Sequence, residues 1–387
     1  MSSTEVHARV FGLDTLRAAA ILLVFMYHYQ VFVSGEDTFG WLSTIGWVGV
    51  DLFFVLSGYL IGNQIFAELR RTETLSLKRF YARRFLRTLP NFYVVLALYF
   101  LFPVAMGGKT PPPLWQFLTF TQNIQLQPGT AFSHAWSLCI EEQFYVFLPM
   151  TVLLVVGALP TRNLETFAYM MWGLIAAAIV AAICWRAWLW TQYGLIEGDA
   201  IRGYHPNIYY ASLCRADELL PGVAVALIKN FHVNAWQWLM ERGRALFAVG
   251  VSCVAVMLCA LFNLYEIPDY GYGFAMTAFG YSLLAMAFAV LLASALSPAS
   301  PLNAWRVPGA AQLAAWSYAL YLTHKAVAHM LRTPLKTYGI DPNTALGVVV
   351  VSIACLAAGW LLYRLVETPF MAIRARYFPV PAGTRAA

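Results

Sequence analysis

The sequence predicts an all-α fold: a polytopic bundle of about ten membrane-crossing helices. Three observations carry that expectation. Of the 387 residues, 60% are hydrophobic and only 11% charged, against about 25% charged in a soluble domain, and the mean hydropathy is +0.63. The apolar residues gather into runs of roughly 18 to 25, the length a helix needs to cross a hydrocarbon layer of about 30 Å. Strand-like alternation is absent, so the pattern of a membrane β-barrel is missing.

The runs lie near 15–33, 46–66, 86–105, 136–157, 167–190, 208–228, 245–263, 272–296, 310–331 and 344–366. The first has polar flanks and no small-residue cleavage pattern behind it, so it reads as a retained span rather than a signal peptide. The second carries "GVDLFFVLSGYLIG", and the third follows the basic "LKRFYARRFLRTLPNFY". The fourth opens on "HAWSLCIEEQFY", whereas "SLCRADELLPG" interrupts the sixth with charge and proline and makes it the weakest span. The ninth contains "SYALYLTHKAVAH". The longest stretch between spans, about 106–135, includes "KTPPPL" and reads as an exposed loop. Residues 1–387 are therefore expected to form a single transmembrane domain with short tails.

The net charge of +6 acts here as a topology signal, and no nucleic-acid partner is expected. With the N-terminus inside, Arg9, Arg70, Arg71, Lys78, Arg79, Arg83, Arg84, Arg87, Arg162, Lys229, Arg242, Arg244, Arg306, Arg374, Arg376 and Arg385 fall on the inner side. Only Lys109, Arg202, Arg332 and Lys336 fall on the outer side. Both termini are expected to be cytoplasmic. The six cysteines lie in or beside apolar runs without a C-x-x-C pair, which fits packing residues rather than disulfides or a zinc site.

Ionisable groups at membrane depth are costly and are functional candidates by default. Arg17 and His28 are eleven residues apart, three helical turns plus about 20°, so they share a face and stand roughly 16 Å apart along the axis. Asp51 in the second span should be level with His28. His134, Ser137, Glu141, Glu142 and Tyr145 of the fourth span, Arg215, Asp217 and Glu218 of the sixth, and His324, Lys325 and His329 of the ninth fall in the outer half as well. The simplest account is a polar cavity there. Arg84 and Arg87, where the third span begins, suit phosphate groups, although most of the basic run around them is explained by anchoring to anionic lipid. Glu141 and Glu142 point about 100° apart, so only one can face a given ligand. His324 and His329 are about 140° apart in projection, a poor chelating geometry, and no metal is expected.

Taken in order, Arg17-x10-His28, "GVDLFFVLSGYLI", "RRFLRTLP", "SLCIEEQFY", "RADELLPG", "SYALYLTH" and "YRLVETPF" resemble the membrane acyltransferase 3 family over roughly residues 10–370. The departure at Leu219, where that family usually has phenylalanine, is mild. The resemblance implies an integral membrane acyltransferase of the inner (cytoplasmic) membrane. It would move an acyl group, commonly acetyl from cytoplasmic acetyl-CoA, onto a hydroxyl of a carbohydrate or lipid-linked glycan. It further implies an essential role for His28 and Arg17, supported by Arg84, Arg87, Ser137, Glu142 and Tyr145. No bound cofactor is implied, acyl-CoA being the donor substrate. Many relatives append an extracytoplasmic hydrolase-like domain, and this chain is expected to act without one.

Residues and resemblance together lead to one expected arrangement. Arg84, Arg87 and Arg17 hold the donor phosphates. His28 either receives the acyl group or acts as general base, and Asp51 or Glu142 orients its imidazole. Glu141, Tyr145, Ser137, Arg215, Glu218 and His324 line the substrate cavity. The alternative is a secondary transporter or flippase of a polar or anionic solute, also a many-span bundle with charges at the midplane.

Overall fold

The structure, a computed structural model, describes residues 10–107, 111–159, 163–195 and 203–379. Arg9, Lys109, Arg162, Arg202 and Arg385, used above to orient the chain, lie outside the described residues. Ten principal helices follow the ten apolar runs: α1 Phe11–Tyr29, α2 Gly49–Thr72, α3 Leu77–Leu101, α4 Trp136–Ala158, α5 Leu164–Tyr193, α6 Leu220–Phe231, α7 Gly243–Leu264, α8 Tyr281–Leu296, α9 Ala310–Thr337 and α10 Ala345–Leu362. An eleventh, α11 Thr368–Tyr377, follows α10 through a π-helical turn. The only strands among the described residues form a two-stranded hairpin, Glu266–Ile267 with Gly271–Tyr272.

Local chemistry starts several of these helices. Ser76 accepts a hydrogen bond from the Arg79 amide before α3. Asn163 accepts from the amides of Glu165 and Thr166 before α5, and Thr344 accepts from Gly347 before α10.

Seven helical stretches among the described residues are long and apolar enough to cross a membrane: those containing α1, α2, α4, α5, α7, α8 and α10. The other three expected spans are helical but differ for identifiable reasons. The basic residues from Lys78 to Arg87 belong to α3 itself, so its N-terminal half is highly charged. The ninth carries His324, Lys325 and His329 in its C-terminal half. The sixth is the short α6, about 18 Å long, preceded by the irregular turns Ser212–Arg215 and Ala216–Leu219. Non-helical backbone at this depth is tolerated because protein surrounds it; Cys214, Arg215, Asp217 and Glu218 are all buried.

Burial sorts the helices. The span containing α2 is 83% buried and the one containing α7 only 11%, so α2 is the hub and α7 faces lipid. Small residues bring α2 and α6 into direct backbone contact. A Cβ at Gly58 would collide with the Leu219 carbonyl, and one at Gly222 with the Val55 carbonyl. On the other side α1 packs between α2 and α9, and α9 packs on α10. This places the polar faces of α1, α2, α3, α4 and α9 around one interior.

Candidate active site

An open cleft with an internal cavity of about 100 Å³ runs between these five helices. Arg17 from α1 and Arg84 and Arg87 from α3 line it, together with Ser57, Glu141, Tyr145, Ser317 and Tyr318. Ser137 of α4 and Tyr321 of α9 line it as well, each a short step in sequence from a histidine. The Arg84 guanidinium lies 5.3 Å from the Tyr145 ring centroid and donates to Gln64 Oε1 at 3.4 Å. The Tyr145 hydroxyl is 2.6 Å from Ser57 Oγ. Among the neighbours of the arginines is Glu367, which accepts from Asn91 Nδ2 at 2.8 Å and whose charge acts on Arg87 and Arg17. Arg17, Arg84 and Arg87 thus meet in one place, as the sequence predicts, although they come from two helices.

Beyond the cleft wall three histidines from three elements meet; none of them lines the cleft itself, and His324, expected in the substrate cavity, lines a separate apolar pocket with Phe25 and Leu320. His28 of α1 lies 2.6 Å from His324 of α9, Nδ1 to Nε2, with the two rings stacked at 4.8 Å and 19°. His134, on the turn Ser133–Ala135 that leads into α4, stands edge-on to both, at 6.2 Å from His28 and 5.5 Å from His324. His28 is half-buried, whereas His134 and His324 are buried. Lys325 donates to Ser133 Oγ at 2.8 Å beside them.

Hydrogen bonding fixes the tautomers of the pair. His324 Nδ1 is 2.9 Å from the Leu320 carbonyl. A carbonyl only accepts, so Nδ1 carries the proton and the neutral ring accepts at Nε2. His28 must then donate through Nδ1, which leaves its Nε2 with a lone pair. A histidine held in this tautomer by a partner behind it has a nitrogen free to act as base or nucleophile.

Hydroxyls of the cleft wall are tied to the backbone of this group. Tyr321 donates to the His134 carbonyl oxygen at 2.5 Å. Its single proton being used there, it accepts from Ser137 Oγ at 2.7 Å.

The expected carboxylate partner of His28 is corrected by these contacts: His324 occupies that position. Asp51 accepts instead from Arg215 Nη2 at 3.1 Å, and Glu218 is bound by the Arg215 Nε and Nη2 groups. All three side chains are inaccessible to solvent. The rings of Trp136, Tyr209 and Tyr281 pack over that guanidinium at 5.1, 4.9 and 4.1 Å. Arg215 and Glu218, expected to line the substrate cavity, therefore belong with Asp51 to a closed structural cluster, alongside a second pair, Arg186 with Asp217 at 2.7 Å. Their depth matches that of the histidines, but they face one another, one guanidinium serving two carboxylates, with Asp51 Oδ2 left without a hydrogen-bond partner among the described residues. Removing one partner of such a buried pair costs roughly 3–5 kcal/mol. Glu142 is buried and lies against Thr88 and Arg84, away from His28; Glu141 is the carboxylate that lines the cleft, as the 100° between them requires. His134 is the member of the histidine group to which sequence reasoning assigns no role of its own. The signal was its position one turn before Ser137 in "SHAWSL".

Comparison with known proteins identifies the family. The family model described as an acyltransferase domain, Acyl_transf_3, matches residues 10–364. The peptidoglycan O-acetyltransferase OatA of Listeria monocytogenes is 26% identical over 95% of this chain and 57% of its own length. YrhL of Bacillus subtilis, a candidate peptidoglycan O-acetyltransferase, is 29% identical over 95% of this chain and 55% of its own. A candidate O-acetyltransferase of Staphylococcus aureus is 26% identical over 93% and 57%. The chain thus spans little more than half the length of the curated relatives it matches. No solved structure matches it. From the first-span Arg17 to the last spans, the match covers every element that builds the cleft: the chain belongs to the acyltransferase 3 family.

Proposed function

We propose that the chain is a membrane-embedded O-acyltransferase, in its simplest form an O-acetyltransferase of the cytoplasmic membrane. It takes an acyl group from cytoplasmic acyl-CoA and delivers it to a hydroxyl of a carbohydrate, either a cell-surface polysaccharide, a lipid-linked sugar or a glycosylated metabolite. Residues 1–387 act as one transmembrane catalytic unit.

One observation carries the reading. A single cleft has three guanidinium groups, Arg17, Arg84 and Arg87, in its walls, and two more of its wall residues, Ser137 and Tyr321, are hydrogen-bonded to each other and to the His134 backbone, beside a histidine pair with a ring nitrogen in lone-pair form. Acyl-CoA has the complementary layout, with phosphates at one end and a thioester at the end of a long, weakly polar arm. The distance along α1 from Arg17 to His28, roughly 16 Å, lies along that arm. Guanidinium groups bind phosphate through charge-assisted, often bidentate hydrogen bonds. His28 Nε2 then meets the thioester carbonyl, and the bond from His28 Nδ1 to His324 stabilises the positive charge that develops on the ring. Family membership favours acyl transfer over the transporter alternative.

The test is release of free CoA thiol from acetyl-CoA by the protein in inverted vesicles or nanodiscs, with a crude cell-envelope glycan fraction present. Release that requires both the glycan and His28, and is lost in His28→Ala, is the expected result. Folded protein that neither binds acetyl-CoA nor releases thiol with any envelope fraction sinks the reading.

A further inference from the structure

The reading above uses His28 and, behind it, His324. It leaves His134 without a task, and His134 is chemically the less satisfied residue. It is buried, with 4% of its surface exposed. Its Nε2 is 3.3 Å from the Leu322 carbonyl, and since a carbonyl only accepts, Nε2 carries the proton and the lone pair of the neutral ring sits on Nδ1. That Nδ1 has no hydrogen-bond partner among the described residues. Buried acceptors are rarely left in that state, and the exceptions invite a chemical explanation. The groups that face the ring are His28 from α1, His324, Lys325 and Tyr321 from α9, and Phe132 from its own segment. The site therefore holds two basic nitrogens in lone-pair form, His28 Nε2 and His134 Nδ1, on rings 6.2 Å apart.

Building on the acyl-transfer reading, we propose that the two nitrogens divide the reaction: His28 Nε2 carries the acyl group, and His134 Nδ1 takes the proton from the acceptor hydroxyl. In the first half the Nε2 lone pair attacks the thioester carbonyl, the carbon–sulfur bond breaks, and CoA leaves as a thiolate. His28 becomes an acyl-imidazolium that keeps its Nδ1 proton on His324. In the second half the acceptor oxygen attacks the acyl carbon while its proton passes to His134 Nδ1. The carbon–nitrogen bond breaks and its electron pair returns to His28 Nε2. The proton on His134 balances the thiolate, and exchange with water restores neutral enzyme and free thiol. A single histidine would have to be acylated and basic at the same moment; two relieve that conflict.

The discriminating variant is His134→Gln. Its amide N–H keeps the bond to the Leu322 carbonyl but offers no basic nitrogen, and hydroxylamine, a nucleophile that needs no base at neutral pH, replaces the glycan as second acceptor. The expected result is that His134→Gln in nanodiscs releases thiol from acetyl-CoA with hydroxylamine within about twofold of wild type. With the envelope glycan fraction it should fall by about 10²- to 10⁴-fold, the usual range for a general base, while His28→Ala loses both. Wild-type rates of glycan transfer in His134→Gln, or equal loss with both acceptors in a variant whose thermal unfolding matches wild type, overturns the assignment. Should the variant fail to fold, the wild type decides. Single-turnover transfer from acylated protein to glycan must then follow an ionisation that transfer to hydroxylamine does not, and identical pH profiles refute the proposal. If wild type releases no thiol with either acceptor, the acyl-transfer reading falls and this assignment with it.

Discussion

His28 donates to a ring nitrogen where histidine-centred acyl transfer more familiarly supplies a carboxylate. The consequence is electrostatic. A neutral imidazole fixes the tautomer of His28 as a carboxylate would, but adds no negative charge to a site that also holds Lys325. His324 should therefore act mainly by orientation. His324→Leu is expected to lower kcat by about 10²-fold or more with the KM for acetyl-CoA nearly unchanged, since in the proposed reading the donor's phosphates bind at the arginines. His324→Gln, whose side-chain oxygen can accept from His28 Nδ1, should recover part of that loss. Equal loss in both variants would mean that His324 contributes more than a properly placed acceptor. At this scale the sequence made part of the site legible. Arg17 and His28 declared themselves by spacing on one helix. Asp51, Arg215 and Glu218 declared only a common depth, and which of them turn toward one another depends on χ angles and neighbours that no spacing encodes.

Among the helices, α2 matters most for positioning, because it contacts α1, α4, α6 and α8 and carries Ser57 into the cleft wall. Its approach to α6 depends on Gly58 and Gly222, where any Cβ meets a backbone carbonyl of the other segment. Side-chain repacking cannot relieve such a clash. Gly58→Val is therefore expected to destabilise the protein by at least the roughly 1–3 kcal/mol typical of overpacking, read as a lower unfolding midpoint in detergent. Because α2 and α6 would separate, the Arg215 cluster between them should loosen too. A variant as stable as wild type would show that the two helices are not held at this distance. The three helices that fall short of membrane-spanning character, α3, α6 and α9, are instructive here. Charge along α3 and α9 and the brevity of α6 weaken their apolar signal because two of them furnish the cleft's polar groups and the third abuts the buried ion cluster. Function and a clean hydropathy pattern compete for the same positions.

For the whole molecule, the internal cleft and the lipid-facing α7 and α10 follow from how apolar surface is distributed around the bundle. The bias of Lys and Arg between loops predicts that the chain runs with its N-terminus inside, and with the proposed acyl-CoA donor that orientation makes donor access one-sided. Acetyl-CoA added to sealed inverted vesicles is expected to lose its acyl group, whereas the same donor outside sealed right-side-out vesicles should not react until the membrane is permeabilised. Equal activity in both orientations would contradict a donor cleft that opens inward. The direction needs no tertiary information, since the bias of Lys and Arg between loops is a property of the chain read in order.

By itself the sequence determined that this is a helical membrane protein and where ten helices lie, and it predicted which way the chain runs and that Arg17 and His28 share a face of the first. Those properties depend on local composition and on the 3.6-residue period, both of which are written along one strand of sequence. The tertiary structure alone decided that His324 rather than a carboxylate stands behind His28, that His134 joins them, and that Asp51, Arg215 and Glu218 withdraw into an ion cluster. Residues nearly 300 positions apart become hydrogen-bonded neighbours only when helices pack, and which polar groups pair is settled by the desolvation of all of them together.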